Sequence, residues 1–227
     1  MSENKKRLVI VGASGMVGGH ALHYALAHPD VAQVTSIGRR ALDIQHPKLT
    51  QVQHGDFGDC AALADALSGQ DAAVFCLGAY TGAVSDEELR KTSWDYPVEF
   101  ARVLHAASPD AAFAFLSGLG ADPTGRSRAA FARYKGGAEK ALGEMGIKGL
   151  SIFRPAYIYP VEPRAEPNFS YRLLRGIYPV FRRVFPGSVI PSDDLGEAMV
   201  TTVLRSRGEA STQVLENRAI QAIARAS

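Results

Sequence analysis

The sequence predicts an α/β fold, a doubly wound parallel sheet carrying a small C-terminal lobe, and three observations carry that expectation. Short apolar runs alternate with segments of helical spacing over roughly the first 150 of the 227 residues. The runs are continuously apolar, as expected of strands covered on both faces. A turn punctuated by glycines joins the first run to the first helix. Hydrophobic residues at 46% and charged residues at 21% suit a globular chain long enough for one sizeable core.

In chain order, "RLVIVGA" reads as a strand stopping at glycine, and "MVGGHALHYALAHP" as a helix. "VAQVTSIGRR" and "LTQVQHGDF" read as strands, "CAALADALSG" as a helix ending near Gly69, and "DAAVFCLGA" as a buried strand. "SDEELRKTSWDYPVEFARVLHAAS" is a long helix with Ser85 as its N-cap and acids in its first turn. "AAFAFLSG" is a strand, "AAFARYKGGAEKAL" a helix and "GLSIFRPA" a strand. After Pro155 come a proline-rich loop, an aromatic and basic stretch, and "SDDLGEAMVTTVLRS", a helix with Asp193 and Asp194 at its cap and first turn. "VLENRAIQAIARAS" reads as a final strand and short tail. The chain is expected to be one domain over 1–227, with 156–191 a lid or substrate lobe at the carboxyl edge of the sheet.

Gly12, Gly15 and Gly18 form G-x-x-G-x-x-G between a strand and a helix. Gly12 allows the tight turn, Gly15 lets a pyrophosphate approach the backbone, and Gly18 lets the helix pack on the sheet. The helix start offers free N–H groups and partial positive charge to phosphates, and Ser14 adds a hydroxyl. In this context the motif predicts a Rossmann-type fold that binds a dinucleotide, with Met16 and Val17 in the same turn. At the tip of the second strand stand Arg39 and Arg40, not an acid. Guanidinium forks suit a 2′-phosphate, so NADP is expected over NAD. Asp56 is expected to accept a bond from the adenine amino group with Phe57 beside the ring, and Leu77 and Gly78 to run along the adenosine ribose.

Together "GASGMVGG", "GDF", "CLGAYTG", "LSGLGAD" and "FRPAYIYP" resemble the atypical, extended-type branch of the short-chain dehydrogenase/reductase superfamily, near the Tat-interacting-protein-like oxidoreductases and the epimerase/dehydratase-like proteins. The resemblance covers nearly the whole chain. It implies a Ser at the end of the fifth strand that orients substrate, and a Tyr four residues before a Lys that donates the proton. The Lys holds the nicotinamide ribose and lowers the Tyr pKa; i and i+4 share one helix face. Carried over, Ser117 takes the serine position, Lys135 the lysine position and Phe131 the tyrosine position, so the usual phenol is missing. Tyr134 is one stand-in, about 100° round the helix from Lys135; Tyr157, Tyr159 and Tyr80 are others. Pro155 and Ile158 are expected to line the nicotinamide.

The resulting expectation is an NADP(H)-dependent oxidoreductase acting on a small carbonyl. A cofactor-binding sensor is the alternative, and an epimerase/dehydratase-like isomerase a third, disfavoured by the short region after Pro155. A net charge of +2 gives no field for nucleic acid. No metal is expected: His20 and His23 lack further ligands. Cys60 and Cys76 read as buried structural thiols, and no nucleophile elbow supports a hydrolase. The basic, aromatic segment 171–185 suits a lid or an oligomer contact, or a weak membrane-surface contact. No run has signal-peptide or membrane-span length, which makes a cytoplasmic location the expectation.

Overall fold

A computed structural model describes residues 5–79, 82–162, 186–206, 208–209 and 211–226. Tyr80, the segment 171–185 and most of the expected lobe lie outside the described residues.

Seven strands form one parallel sheet: β1 (Lys6–Val11), β2 (Val31–Gly38), β3 (Leu49–Gln53), β4 (Ala72–Phe75), β5 (Ala112–Leu116), β6 (Leu150–Arg154) and, after the short β7 and β8, β9 (Thr212–Glu216). Their order across the sheet is β3-β2-β1-β4-β5-β6-β9. The chain runs outward from β1 to β3, returns to place β4 beside β1, and then runs the other way. The carboxyl ends of β1 and β4 therefore flank the crevice where such sheets take ligands.

Strand parity divides the core. Leu8, Ile10, Val34, Ala72, Val74 and Ala114 face α1 (Met16–Ala27) and α6 (Ser192–Arg205). Their neighbours Val9, Val11, Ile37, Ala73, Phe75 and Phe115 face the other layer, α2 (Ala64–Leu67), α4 (Tyr96–Ala107) and α5 (Ala130–Glu144). At the centre of the sheet β1 from Leu8 onward, β4 and β5 are therefore apolar at every position, which explains the continuous runs in the sequence, whereas the edge strands β3 and β9 keep exposed polar residues.

Three local expectations are corrected. The helix opening at Ser85, whose hydroxyl accepts from the Glu88 amide at 3.2 Å, is interrupted. It runs as α3 (Asp86–Arg90), a π-helical turn over Lys91–Asp95, and then α4. At α6 the cap position is Pro191, and Ser192 instead accepts from the Val161 amide at 3.3 Å. The final tail is not a loose end but α7 (Asn217–Arg225), which buries Ile220 and packs Ile223 against the α1/α6 core. Asn217 Oδ1 accepts from the Ala156 amide at 3.1 Å, tying α7 to the chain leaving β6. Beyond that point β7 (Tyr157–Tyr159) and β8 (Val189–Pro191) pair in parallel as a separate two-stranded ribbon at the base of the expected lobe.

Candidate active site

The glycine turn has the geometry a dinucleotide requires. Gly12 has φ +88°, and a Cβ there would lie 3.0 Å from the backbone of Cys76 and Leu77 at the end of β4. A Cβ on Gly18 would lie 2.2 Å from the Gly12 carbonyl oxygen, so the helix starts in direct contact with the turn. The Gly15 amide closes the turn on that same carbonyl at 2.8 Å. Gly15 is the N-cap of α1 in extended conformation and supplies no side chain, so the helix start stays open to a ligand. Ser14 is exposed beside it, whereas Met16 and Val17 turn their side chains into the core and leave only backbone for a ligand. A cavity of about 240 Å³ opens here, lined by Ser14, Gly15, His20, Pro160, Glu162 and Ser192 among others, and joins the turn to the base of the ribbon.

Arg39 and Arg40 form an exposed bend directly after β2, with no ion-pair partner among the described residues. Asp56 is exposed, and its Oδ1 accepts the Gly58 amide at 2.9 Å. Phe57 overturns its expected place beside adenine: it is 1% exposed and packs on Phe75 and Tyr96. Both residues lie in the turn after β3, which sends the Phe57 ring into the core and leaves Asp56 at the surface. Leu77 is half-buried and Gly78 exposed, consistent with backbone lining the crevice.

On α5, Lys135 is 4% exposed, donates to the Leu116 carbonyl at 2.7 Å, and lies 4.6 Å from the centre of the Phe115 ring. Burial pushes its ammonium down to about 8, against the opposing pull of Glu139 and Cys76. Phe131, one turn earlier, lays its ring on Gly118: a Cβ there would meet the ring tip at 2.7 Å. A second serine in place of Gly118 would therefore collide with the phenyl ring.

Two of the expected hydroxyls are otherwise engaged. Ser117 is 6% exposed and donates to Glu139, which also holds Arg154. The Tyr134 hydroxyl donates to Asp86 at 2.7 Å, and that bond pushes its phenol up, away from the range useful for proton transfer at neutral pH. Tyr157 and Ile158 lie half-buried on β7 and Pro155 is buried at the end of β6. Burial pushes both thiols, Cys60 and Cys76, up to about 12, which leaves them unreactive.

Sequence reading missed three residues here. Buried Glu139 and half-buried Arg154 form an ion pair. Their signal was an acid on the buried face of α5 and a base ending an otherwise apolar strand. Ser93 is 1% exposed within the π turn, and its hydroxyl has no partner among the described residues. Nothing in the sequence marked that turn, because a π turn arises from packing: here Trp94 fills the space above Gly137 of α5.

The fold and the glycine turn define a nicotinamide-dinucleotide protein, and the chain belongs to the family described as NAD(P)H-binding, whose model matches residues 12–205. Among its relatives is the protein HTATIP2 of Rattus norvegicus, 28% identical over 218 residues, covering 95% of this chain and 88% of that protein. Another is protein fmp52-1, mitochondrial, of Aspergillus terreus, 30% identical and covering 70% of each chain. In fold the chain is similar to a short-chain dehydrogenase/reductase family oxidoreductase from Burkholderia thailandensis, with a TM-score of 0.67, 16% identity, and coverage of 95% and 92%. These findings bear out the resemblance and the oxidoreductase-like type of the chain. They overturn the cytoplasmic expectation, because several of the fungal relatives are named mitochondrial proteins.

Proposed function

We propose that this chain is an NADP(H)-dependent oxidoreductase acting on a small carbonyl compound. The observation that carries the reading is the site at the β1/β4 crevice, where the open start of α1, exposed guanidinium groups after β2 and a buried lysine at the tip of β5 share the carboxyl edge of the sheet. The Gly12–Gly18 turn would hold the pyrophosphate, Arg39 and Arg40 the 2′-phosphate, Asp56 the adenine amino group, and Lys135 the nicotinamide ribose. Bound there, the coenzyme supplies or accepts the hydride. Phe131, packed on Gly118, and the exposed Leu119 that follows would give a substrate an apolar wall suited to a carbonyl with an apolar substituent. The segment around 156–191 would act as the lid over it.

Arg39→Asp tests the choice of coenzyme. It replaces a cation facing a dianionic phosphate with an anion, and is expected to raise the Kd for NADPH about 30-fold or more while changing that for NADH less than about threefold. Equal losses for both coenzymes would remove the arginine from the argument.

A second reading, a sensor that binds NADPH with little turnover, is favoured by the commitments of Ser117 and Tyr134 and by the phenyl ring of Phe131. Water or Tyr157 would then be the proton source for whatever slow reduction remains. Phe131→Tyr separates the readings by restoring a phenol one turn from Lys135. In an oxidoreductase short only of its acid, NADPH oxidation with a panel of aldehydes, ketones and quinones should rise at least about tenfold, within the range general acids supply. A binding protein with no place for substrate would show no rise.

A further inference from the structure

We propose that Glu139 is a positioning residue that holds Lys135 charged and aimed at the carboxyl edge of the sheet. Lys135 and Glu139 are one turn apart on α5, and both are at most 5% exposed. Each is fastened to the tip of β5 at consecutive residues: Lys135 donates to the Leu116 carbonyl, and Ser117 donates to Glu139. Glu139 also receives Arg154, the last residue of β6, with Nε at 3.0 Å and a second bond from Nη2. One carboxylate therefore joins α5, β5 and β6 where the ribose clamp is needed.

The charges show why this is more than a brace. Among the described residues four groups act on Lys135: Glu139 on its own helix, Cys76 after β4, and the Phe115 ring and Leu116 carbonyl of β5. With its proton affinity raised by burial, Cys76 stays a neutral thiol at neutral pH. Glu139 is thus the acid that opposes the desolvation of the lysine. Without it, a buried ammonium would stand near a half-buried guanidinium with no carboxylate between them, and the lysine would shed its proton more readily. A shape-filling pair of apolar residues would brace the same three elements but could not set the charge of Lys135.

The inference rests on Lys135 meeting the coenzyme, and the experiment separates the two. In the free protein, a lysine held near 8 when folded and 10.5 when unfolded leaves the unfolded chain with more protons between those values. Folding stability must then rise with pH from about 8 upward. The rise is isolated by denaturant unfolding from pH 6 to 10.5 as the difference from Lys135→Met, which cancels the other titrating groups. In the Glu139→Gln background the onset of that rise should move down by about one pH unit or more. Should the glutamine variant not fold, Glu139→Asp, with its carboxylate drawn back, gives a smaller shift in the same direction. A folded variant whose onset is unmoved overturns the proposal, since a purely structural role would lower stability without moving it. The companion arm is NADPH affinity against pH, which should weaken above the same onset in each protein. A shifted stability onset with NADPH affinity flat in pH would retain the role of Glu139 and refute the placement of Lys135 at the ribose.

Discussion

Gly18→Ala is expected to weaken NADPH binding at least about 100-fold and to lower stability by about 1–3 kcal/mol. A Cβ at this position would stand 2.2 Å from the Gly12 carbonyl oxygen, 2.7 Å from its carbonyl carbon and 3.1 Å from the Ala13 nitrogen. All three are backbone atoms of the turn, so no side chain can swing aside to make room. The start of α1 must retreat from the turn, and the amides that would meet the pyrophosphate lose their common focus. The clash is specific to this contact. Gly143 on α5 has no atom within 4 Å of its would-be Cβ, and alanine there should stabilise the helix by about 0.5–1 kcal/mol with NADPH binding unchanged. Thermal unfolding and fluorescence titration of the two variants check both halves of the expectation.

Lys135→Met is expected to separate binding from stability. Methionine keeps the length of the buried stem and removes the ammonium. The free protein at pH 7 should gain about 1–3 kcal/mol, because the folded state no longer carries a charge whose proton affinity burial has reduced from 10.5 to about 8, a gain offset in part by the lost bond to the Leu116 carbonyl. The same change should weaken NADPH binding about tenfold or more, since a charge-assisted bond to the ribose hydroxyls is gone. Urea unfolding alongside a fluorescence titration reads both. A variant that is less stable and binds as well as the wild type would contradict this account of the residue. The sign also predicts the behaviour of the unaltered chain: NADPH affinity should be greatest below about pH 8 and decline above it as Lys135 loses its proton.

The parallel sheet was legible because its central strands are buried on both faces, as in "LVIV" and "AAVF", where each residue enters one of two cores. The glycine turn was legible because its constraints are local: a positive φ at Gly12 and a close approach at Gly18 belong to neighbours in sequence. What escaped depends on partners far along the chain. Ser117 reads as an orienting hydroxyl until β6 and α5 bring Arg154 and Glu139 beside it. Tyr134 reads as a stand-in acid until Asp86, 48 residues away, accepts a hydrogen bond from its hydroxyl and makes the phenol hold its proton more tightly. Phe57 and Asp56 follow one another in the turn after β3, and which of the two enters the core is set by Phe75 and Tyr96, distant in sequence. In α7 the spacing of Ile220, Ile223 and Ala224 was helical, but the segment was short enough to pass for a tail.

The replacement of the expected phenol is internally consistent. Phe131 and Gly118 fit each other, and a tyrosine–serine pair at the same two positions would need a different ring placement. The site therefore keeps the glycine turn, the two arginines, Asp56 and Lys135, while the phenol at position 131 is absent and the hydroxyls of Ser117 and Tyr134 are bound elsewhere. That combination is why binding and turnover have to be measured separately.

The most direct test of the central claim is calorimetric titration of the unaltered protein with NADPH and with NADH at low ionic strength and pH 7. The glycine turn, the two arginines and Lys135 together predict saturable one-to-one binding of NADPH, at least about tenfold tighter than NADH and accompanied by a rise in melting temperature. Absence of heat and of thermal protection with both coenzymes would contradict it.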